Sequence, residues 1–596
     1  MAVEGLALLF DLGLILLAAT LFNYIARALN QPALLAYIAA GIFIGPLGLG
    51  ALGIDFAGVQ LGVTTTEEII LFSELGVAFL LFSIGVESNF SKMRELGKIA
   101  IIGSVIQVAL TALLVFVFNH FLGLLSFEQA LYLGLIVAFS STTIVVKLLA
   151  DEYEINTIHG RLMIGFLLIQ DVLVILALPL LDNISNALSI DLVLPLIFKV
   201  IALLVIAFLL NRYVYPKAFH FASNSDELFF LTTMSSVFIF IFISFILDFS
   251  IAVGAFVAGV ALSTLPYNLD AIHKVRGVRD FLATIFFVTL GIQITPSFVS
   301  FPIALAIVLI GIVFIFKPLI YYAITLLNGY GGRVSLMVAL GLAQASEFSF
   351  IIANQGRAIL DQTPGLYSFV IVLIAGSMAI TPYFMNSTSY VYNLIHKILG
   401  KAIIPFKKSK FLHSKIWALE GIPSGLKDHI VIVGGGVVGS RIASTLKDKF
   451  NLVVYDNDSQ VVADNMRHGI NSTYGSVNNE EIWRKLELEN AKALILAVPN
   501  AKATIPFLKF AKRTNPKLAI FARARYYTDA LALYKIGADL VIMPQVLAGD
   551  KFIEKVTQYF KTGKIEKPVL PEKDYLQDLE DHARRERTRF VENKGH

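Results

Sequence analysis

Residues 165–177 read GFLLIQDVLVILA, an apolar stretch that is interrupted only by Gln170 and Asp171. An aspartate at the centre of a membrane-spanning helix costs roughly 2.5–3.5 kcal/mol on insertion scales. Ionisable groups at that depth are rare, and they mark ion pathways and proton relays. A carboxylate that meets water there holds either a proton or a small cation. The stretch therefore predicts a membrane-spanning helix in which Asp171 exchanges the two.

The composition divides the chain into a membrane part and a soluble part. Of 596 residues, 56% are hydrophobic and 15% are charged, whereas soluble domains carry about 25% charged residues. Zero cysteines exclude disulfides and thiolate metal sites, and the first residues, MAVEG, lack the basic segment of a cleavable signal peptide. We predict a polytopic helical membrane domain over residues 1–395, a basic linker over 396–427, a nucleotide-binding domain over 428–560 and a charged tail over 561–596.

The apolar runs predict thirteen spans of about 17–25 residues each. Basic residues are concentrated in alternate loops, such as the one with Lys92, Arg94 and Lys98 and the one with Lys274, Arg276 and Arg279. Since cytoplasmic loops carry the excess of Lys and Arg, we expect a multi-pass protein of the cell membrane. Its N-terminus would lie outside, and its C-terminal domain would lie in the cytoplasm.

Two spans contain polar interruptions, AFSSTTIVV at 138–146 and GLAQASEFSF at 341–350. Interrupted helices at corresponding positions of two halves indicate a transport site at the membrane midplane. Clusters of Ser and Thr also let helices pack closely, but the pairing of the two breaks favours an ion site. The predicted ion-binding residues are Asp171, Gln170, Ser140, Ser141, Thr142 and Thr143, with Glu347 in a supporting role, and the cation ligands proper are Asp171 and Gln170.

Lys317, in GIVFIFKPLIYY (311–322), is the second ionisable residue deep in a predicted span. It could form an ion pair with Asp171 that is purely structural. It could also pair with Asp171 only when no cation is bound, and so take part in transport. The sequence leaves both roles open.

Residues 429–456 read HIVIVGGGVVGSRIASTLKDKFNLVVYD. A predicted strand leads into Gly434, Gly436 and Gly439 with G-x-G-x-x-G spacing, a helix follows, and a second strand ends at Asp456. Such glycines allow a phosphate to approach a helix N-terminus, and the acidic residue can accept a ribose hydroxyl. This context predicts an α/β Rossmann-type domain that binds a nucleotide. The alternative is a domain with the same fold whose pocket stays empty.

The chain resembles the Kef-type potassium efflux systems of the CPA2 family of cation:proton antiporters, which carry an RCK (TrkA-N) domain. The similar stretches include QPALLAYIAAGIFIGPLGL (31–49), ELGVAFLLFSIGVE (74–87), AFSSTTIV (138–145), LLIQDVLVI (167–175), AVGAFVAGVAL (252–262), FFVTLGIQI (286–294), AQASEFSFII (343–352) and FARARYYTDALALYKIGAD (521–539). The Gln-Asp pair is the most diagnostic feature, since sodium-exchanging relatives carry Asp-Asp or Asn-Asp there.

The resemblance implies an NhaA/NapA-like inverted repeat with two broken, crossing helices, and a homodimer in the lipid membrane. It implies K⁺ efflux coupled to H⁺ entry by alternating access, electroneutral and without enzymatic activity. It also implies regulation by an adenine nucleotide, AMP or NAD(H), whose phosphates would meet Arg523. We expect no nucleic-acid partner.

Two departures and three alternatives qualify this resemblance. Ser476 follows Gly475 where an aspartate is common, and TLPYNLDAIHKVRGVRDF (264–281) lacks the acidic motif of glutathione-gated members. The sequence therefore leaves glutathione gating open. The alternatives are Na⁺/H⁺ exchange on the same fold, a membrane-bound dehydrogenase, and an RCK-gated potassium channel. The Gly329-Tyr330-Gly331 triplet of a channel filter falls here in a predicted cytoplasmic loop, which favours a turn.

Overall fold

The computed structural model describes residues 2–564, except 30, 53–54, 57–58, 61, 64–65, 88–96, 152–153, 156, 182–189, 224, 297–300, 400–425, 476, 478–482, 484–485 and 499–500. The chain divides into two compact units. The first comprises residues 1–145, 162–326 and 335–398, and the second comprises 146–161, 327–334 and 399–596. Most of the predicted basic linker, Ser476 and nearly all of the charged tail lie outside the described residues, so the predicted domain boundaries stay predictions.

The membrane part is helical. In chain order its helices are α1 (Ala2–Ala28), α2 (Ala33–Ile44), α3 (Glu67–Glu87), α4 (Gly97–Leu122), α5 (Phe127–Ala138), α6 (Thr142–Asp151), α7 (Ile158–Leu181), α8 (Ile190–Leu209), α9 (Tyr215–Ala222), α10 (Asp226–Ile246), α11 (Ile251–Ser263), α12 (Asn268–Ile292), α13 (Ile303–Gly311), α14 (Lys317–Leu327), α15 (Gly332–Gly341), α16 (Glu347–Gln355), α17 (Arg357–Leu360) and α18 (Leu366–Leu399). A short antiparallel pair, β1 (Asp55–Phe56) and β2 (Val59–Gln60), lies between α2 and α3.

Within the described residues, 10 helical segments are long and apolar enough to cross a membrane. Two shorter apolar helices, α11 and α15, accompany them. Large apolar side chains such as Phe245, Ile303 and Phe121 are exposed along these segments, as expected for a surface that faces lipid rather than water. The helical membrane architecture is thus confirmed, while the count of thirteen spans stays a prediction.

Both predicted interruptions are present. Helix α5 ends at Ala138 and α6 begins at Thr142, while α15 ends at Gly341 and α16 begins at Glu347. Ser346 caps α16 by accepting a hydrogen bond from Phe348 N, and Ser349 Oγ accepts one from Ser346 N. Such caps satisfy backbone groups that an interrupted helix leaves without partners, which explains the serines at the second break.

Helix α12 begins earlier than the sequence predicts. The sequence predicts a basic loop with Lys274, Arg276 and Arg279 ahead of this span, but the helix starts at Asn268 and includes all three residues. Apolar length alone locates the part of a helix that lies in lipid, whereas a helix can continue into water with charged residues. The basic residues therefore belong to a helical extension.

Glycines allow two close helix crossings in the first unit. A Cβ added at Gly85 would lie 2.4 Å from the carbonyl oxygen of Phe256 and 3.0 Å from Cα of Gly259, so α3 and α11 touch through their backbones. The same holds for Gly41 and Gly291, where α2 meets α12. In lipid the hydrophobic effect does not drive helices together, and close packing through small residues of this kind stabilises their association instead.

The second unit contains a parallel six-stranded sheet with the order β5-β4-β3-β6-β7-β8. The chain adds strands on one side of β3 up to β5 and then crosses to its other side, where β6 pairs with β3. This change of side is typical of the doubly wound dinucleotide-binding fold, and it confirms the predicted α/β domain. The elements are β3 (His429–Val433), α19 (Val437–Leu446), β4 (Leu452–Asp456), α20 (Ser459–Arg467), β5 (Ser472–Tyr474), β6 (Ala491–Leu496), α21 (Ala501–Thr514), β7 (Ala519–Arg523), α22 (Tyr527–Ile536), β8 (Leu540–Ile542) and α23 (Pro544–Thr562).

Candidate functional site

Asp171 lies in α7 beside the first helix break, and its residue is 9% exposed. The hydroxyl of Thr142 lies 3.1 Å from Oδ1 and 3.0 Å from Oδ2 of this carboxylate. Thr142 is the first residue of α6, and the N-terminus of a helix carries a partial positive charge that favours an anion. The break therefore delivers a hydroxyl and a helix N-terminus to Asp171.

A second carboxylate meets the next residue of the same turn. Glu347 Oε1 accepts hydrogen bonds from Thr143 Oγ1 at 2.7 Å and from Thr143 N at 3.4 Å. Its other oxygen, Oε2, is buried and has no hydrogen-bond partner among the described residues. Neighbouring threonines at the start of α6 thus contact one carboxylate from α7 and one from α16.

The remaining polar residues of the first break are buried and hold the backbone. Ser140 Oγ donates to the carbonyl oxygen of Leu342 at 2.9 Å, which joins the first break to the second. Ser141 Oγ accepts from Ile144 N at 3.4 Å. Gln170 Oε1 accepts from Ser140 N at 3.0 Å, so this amide fixes the break to α7. The amide oxygen of Gln170 has a second lone pair that could contact a cation. The predicted role of Gln170 as an uncharged cation ligand stays a prediction.

Lys317 lies where the two breaks meet. Its side chain is fully buried, and Nζ donates to the carbonyl oxygens of Phe139 and Gln344, each at 2.7 Å. Both carbonyls belong to the interrupted segments, where no following turn of helix provides an N–H donor. Lys317 therefore ties the breaks together, and its predicted pairing with Asp171 in the cation-free state stays a prediction.

Sequence reasoning overlooked two residues of this region. Gln107 of α4 and Tyr321 of α14 are both fully buried, and both hydrogen-bond to the side chain of Gln170. Neither residue is a charged group or a member of a Ser/Thr cluster, the two features from which polar sites within the spans were predicted. A lone amide in an apolar run, IIGSVIQVAL at 101–110, is the signal that would have found Gln107.

The glycine turn of the second unit has the geometry that a phosphate requires. Gly434 has φ +95°, in the left-handed region that favours glycine. A Cβ at Gly439 would lie 1.7 Å from the carbonyl oxygen of Gly434, whereas a Cβ at Gly436, the N-cap of α19, would meet nothing within 4 Å. The first and third glycines therefore close the turn, and the second leaves its outer side open.

Asp456 lies at the carboxyl end of β4, next to this turn. Its Oδ2 accepts from Gly435 N at 2.5 Å and its Oδ1 from Asp458 N at 2.7 Å. Burial raises the pKa of this carboxyl to about 6, although the hydrogen bonds from Asp458 and Gly435 act in the opposite direction. Backbone N–H groups of Gly435, Asn457 and Asp458 bond to this carboxylate, which leaves about one of its four acceptor positions for a ligand hydroxyl. The residues present therefore fit a nucleotide with its ribose at Asp456.

Arg523 is the last residue of β7, two strands from β3 in the sheet. Strands lie about 4.8 Å apart, so its backbone is roughly 10 Å from the glycine turn, at the same edge. A long guanidinium side chain can span that distance. Its contact with phosphates stays a prediction.

The family comparisons agree with both parts of the chain. Residues 13–386 match the family model described as the transmembrane part of sodium/hydrogen exchangers, and residues 430–544 match the TrkA-N domain model. The putative cation/proton antiporter YbaL of Escherichia coli is 30% identical over 563 residues, which cover 91% of this chain and 94% of that protein. The putative K⁺ efflux antiporter KefB of Alkalimonas amylolytica is 26% identical over 553 residues, which cover 91% and 79%.

Among solved structures, the crystal structure of the TrkA-N domain of the E. coli inner membrane protein YbaL is 30% identical and covers 22% of this chain and 97% of that domain, with a TM-score of 0.21. The exchanger model alone matches more than half of the chain. The chain therefore belongs to the sodium/hydrogen exchanger family, as a Kef-type cation/proton antiporter that carries a TrkA-N domain.

Proposed function

We propose that this antiporter exchanges K⁺ for H⁺ by alternating access, with Asp171 as the site that both ions share. The observation that carries the proposal is the contact of Thr142 with both oxygens of a carboxylate buried in a lipid-length helix. In this arrangement the carboxylate binds a proton, or it binds a cation together with hydroxyl and backbone oxygens of the unwound segments. Glu347 is the adjacent supporting carboxylate.

One shared carboxylate fixes the coupling. Because Asp171 releases its proton before it takes up a cation, one cation moves for each proton and no net charge crosses the membrane. K⁺ is favoured over Na⁺ because KefB and other relatives are described as K⁺ efflux antiporters. Na⁺/H⁺ exchange on the same fold is the alternative, and parallel assays with the two cations distinguish them.

Competition between the two ions is testable in proteoliposomes that contain a pH-sensitive dye. The apparent KM for K⁺ should rise as pH falls, approaching about tenfold per unit at low pH, because protons occupy the cation site. The maximal rate should change much less than KM. A KM that stays constant while the maximal rate falls would show that protons act at another site.

We further propose that AMP or NAD(H) binds at the Gly434–Gly439 turn and regulates exchange without being consumed. The open side of Gly436 and the remaining acceptor position of Asp456 support this binding. Arg523, at the same sheet edge, would contact the phosphates. Binding of each nucleotide to the purified protein, measured by calorimetry, tests the assignment, and a Gly436→Val variant should lose it.

Contacts within the second unit support a route for this regulation. Arg161, in the first turn of α7, pairs with Asp458 Oδ1 at 3.0 Å, and Asp458 N donates to Asp456. Close by, Ile158 N donates to the hydroxyl of Tyr474 at 3.2 Å. Arg161 and Asp171 lie on the same helix, about 15 Å apart along its axis. A nucleotide that moves the Asp456 turn would therefore act on the helix that carries the ion site.

We also propose a homodimer, with the N-terminus outside and the TrkA-N domain in the cytoplasm. Helix α23 supports the dimer because none of its residues is buried, and Phe552, Val556 and Phe560 form an exposed apolar stripe at intervals of four residues. Such a stripe fits a second copy of the domain. The mass of the protein in detergent, compared for wild type and Phe552→Glu, tests this assembly.

A further inference from the structure

A saturated hydrogen-bond network lies behind the first helix break. Gln170 Nε2 donates to Tyr321 Oη at 2.6 Å and to Gln107 Oε1. Tyr321 Oη in turn donates to Gln107 Oε1 at 3.1 Å. Each of these three side chains is at most 1% exposed. Both amide N–H groups of Gln170 and both lone pairs of the Gln107 oxygen are therefore used within the network.

The network ends on the backbone groups that the break leaves without helical partners. Gln107 Nε2 donates to the carbonyl oxygen of Ala138, the last residue of α5, at 3.0 Å, and also to Thr111 Oγ1 at 3.1 Å. Gln170 Oε1 accepts from Ser140 N at 3.0 Å. Side chains from α4 and α7 thus replace backbone bonds on both sides of Phe139. In a membrane, water cannot take over this task.

This network sets the position of the ion site. Thr142, whose hydroxyl contacts Asp171, is two residues beyond Ser140. Gln170, which holds Ser140, directly precedes Asp171. The separation of the hydroxyl from the carboxylate is therefore fixed by the bonds that hold Ser140 to Gln170. Those bonds depend on the orientation of the Gln170 amide, which Gln107 and Tyr321 determine.

We propose that Gln107 and Tyr321 are positioning residues for cation binding, which they control through the Gln170 amide without touching the ion. This inference rests on the proposed exchange at Asp171. It explains why a glutamine precedes the aspartate, since an aspartate or a leucine at that place could not both accept from Ser140 N and donate to the Gln107–Tyr321 pair.

The test compares Tyr321→Phe and Gln107→Leu with wild type in proteoliposomes, with K⁺ and Na⁺ in separate runs. Tyr367→Phe is the matched control, because Tyr367 Oη donates to Gln293 Oε1 at 2.6 Å in a buried tyrosine–glutamine pair outside the two breaks. We expect the KM for K⁺ to rise about tenfold in both network variants, with a changed ratio of K⁺ to Na⁺ KM and a maximal rate within about twofold of wild type. The control should keep all three values.

Two results would overturn the inference. One is an unchanged KM for both cations in Tyr321→Phe, the milder variant, which keeps the ring and is expected to fold even if Gln107→Leu does not. The other is an equal rise in KM in Tyr367→Phe, which would assign the effect to general loosening of the fold. A wild-type protein that moves no protons with either cation would instead contradict the proposed function itself.

Discussion

The hydroxyl oxygen of Thr142 lies 3.0 Å from one carboxylate oxygen of Asp171 and 3.1 Å from the other. Thr142 occupies this place because α5 stops at Ala138 and a new helix begins at Thr142 itself. In an uninterrupted helix, its hydroxyl would bond to the backbone of the preceding turn. Because of the break, the hydroxyl of Thr142 is available to the Asp171 carboxylate instead.

The Thr142 contact predicts a loss of cation affinity in Thr142→Val, which keeps the shape of the side chain and removes the hydroxyl. A hydrogen bond to a charged group contributes about 1.5–3 kcal/mol, so the KM for K⁺ should rise at least about tenfold. The rates of K⁺-driven proton movement in proteoliposomes measure it. Thr325→Val, which loses hydroxyl bonds to the backbone carbonyls of Tyr321 and Tyr322 and none to a carboxylate, should retain the wild-type KM.

The hydrogen bonds of Lys317 predict that the variant Lys317→Met is less stable than wild type. The substitution leaves two buried carbonyls, those of Phe139 and Gln344, without this donor. Each orphaned group costs about 1–3 kcal/mol, and the variant should unfold at a clearly lower temperature in detergent. Lys199→Met is the control, because the exposed pair of Lys199 with Asp248 contributes at most about 1 kcal/mol. Equal unfolding temperatures for the two variants would contradict the role of Lys317.

The pKa of Asp456 predicts a pH dependence of nucleotide binding. In the folded domain this pKa is raised to about 6 from 3.8, so the carboxyl is mostly charged at pH 7 and mostly protonated at pH 5. If the charged form accepts the ribose hydroxyls, affinity should fall about tenfold between these values. Calorimetry of wild type and Asp456→Asn checks this, since the variant should bind weakly and with little pH dependence.

The same raised pKa affects the stability of the domain in the opposite sense, since stability falls as pH rises whereas nucleotide affinity should increase. Because the folded state binds a proton more tightly than the unfolded state, the contribution of Asp456 to stability is complete below about pH 3.8 and is lost as pH rises through 6. Asp456→Asn should therefore stabilise the nucleotide-free domain at pH 7 relative to wild type. A variant that is less stable at pH 7 would show that its hydrogen bonds outweigh the cost of burial.

The pair of Arg161 with Asp458 predicts the effect of charge reversal on regulation. Arg161→Glu should abolish the proposed change in exchange rate on addition of AMP or NAD(H), while nucleotide binding persists. The double variant with Asp458→Arg should restore the change. Lys492→Glu removes an exposed ion pair with Asp428 in the same domain and should leave regulation intact. A nucleotide effect of equal size in Arg161→Glu would mean that the pair does not transmit it.

The sequence was sufficient wherever the signal is local. Asp171 in an apolar run, the Ser/Thr breaks and the glycine turn before Asp456 are each visible within a few residues, and the structure has the helix, both breaks and the turn where they were expected. The start of α12 was missed because its first turns are charged, and charged residues near a span resemble a loop.

The partners of these residues could not be predicted, because they come from distant parts of the chain. Lys317 bonds carbonyls 178 and 27 residues away, and Tyr321 meets Gln107 across 214 residues. Depth in the membrane can be estimated from apolar length, but the direction of a side chain depends on how helices cross. The Gln107–Gln170–Tyr321 network therefore emerged only from the three-dimensional arrangement.

The most direct test of the central claim is cation-driven proton movement in proteoliposomes for wild type, Asp171→Asn and Asp11→Asn. Asp11 provides a matched carboxylate in α1, another lipid-length helix. The account predicts proton exit on addition of K⁺ in wild type and in Asp11→Asn, and none in Asp171→Asn. Coupled proton movement that persists in Asp171→Asn, or K⁺ flux through that variant without proton movement, would contradict Asp171 as the shared site.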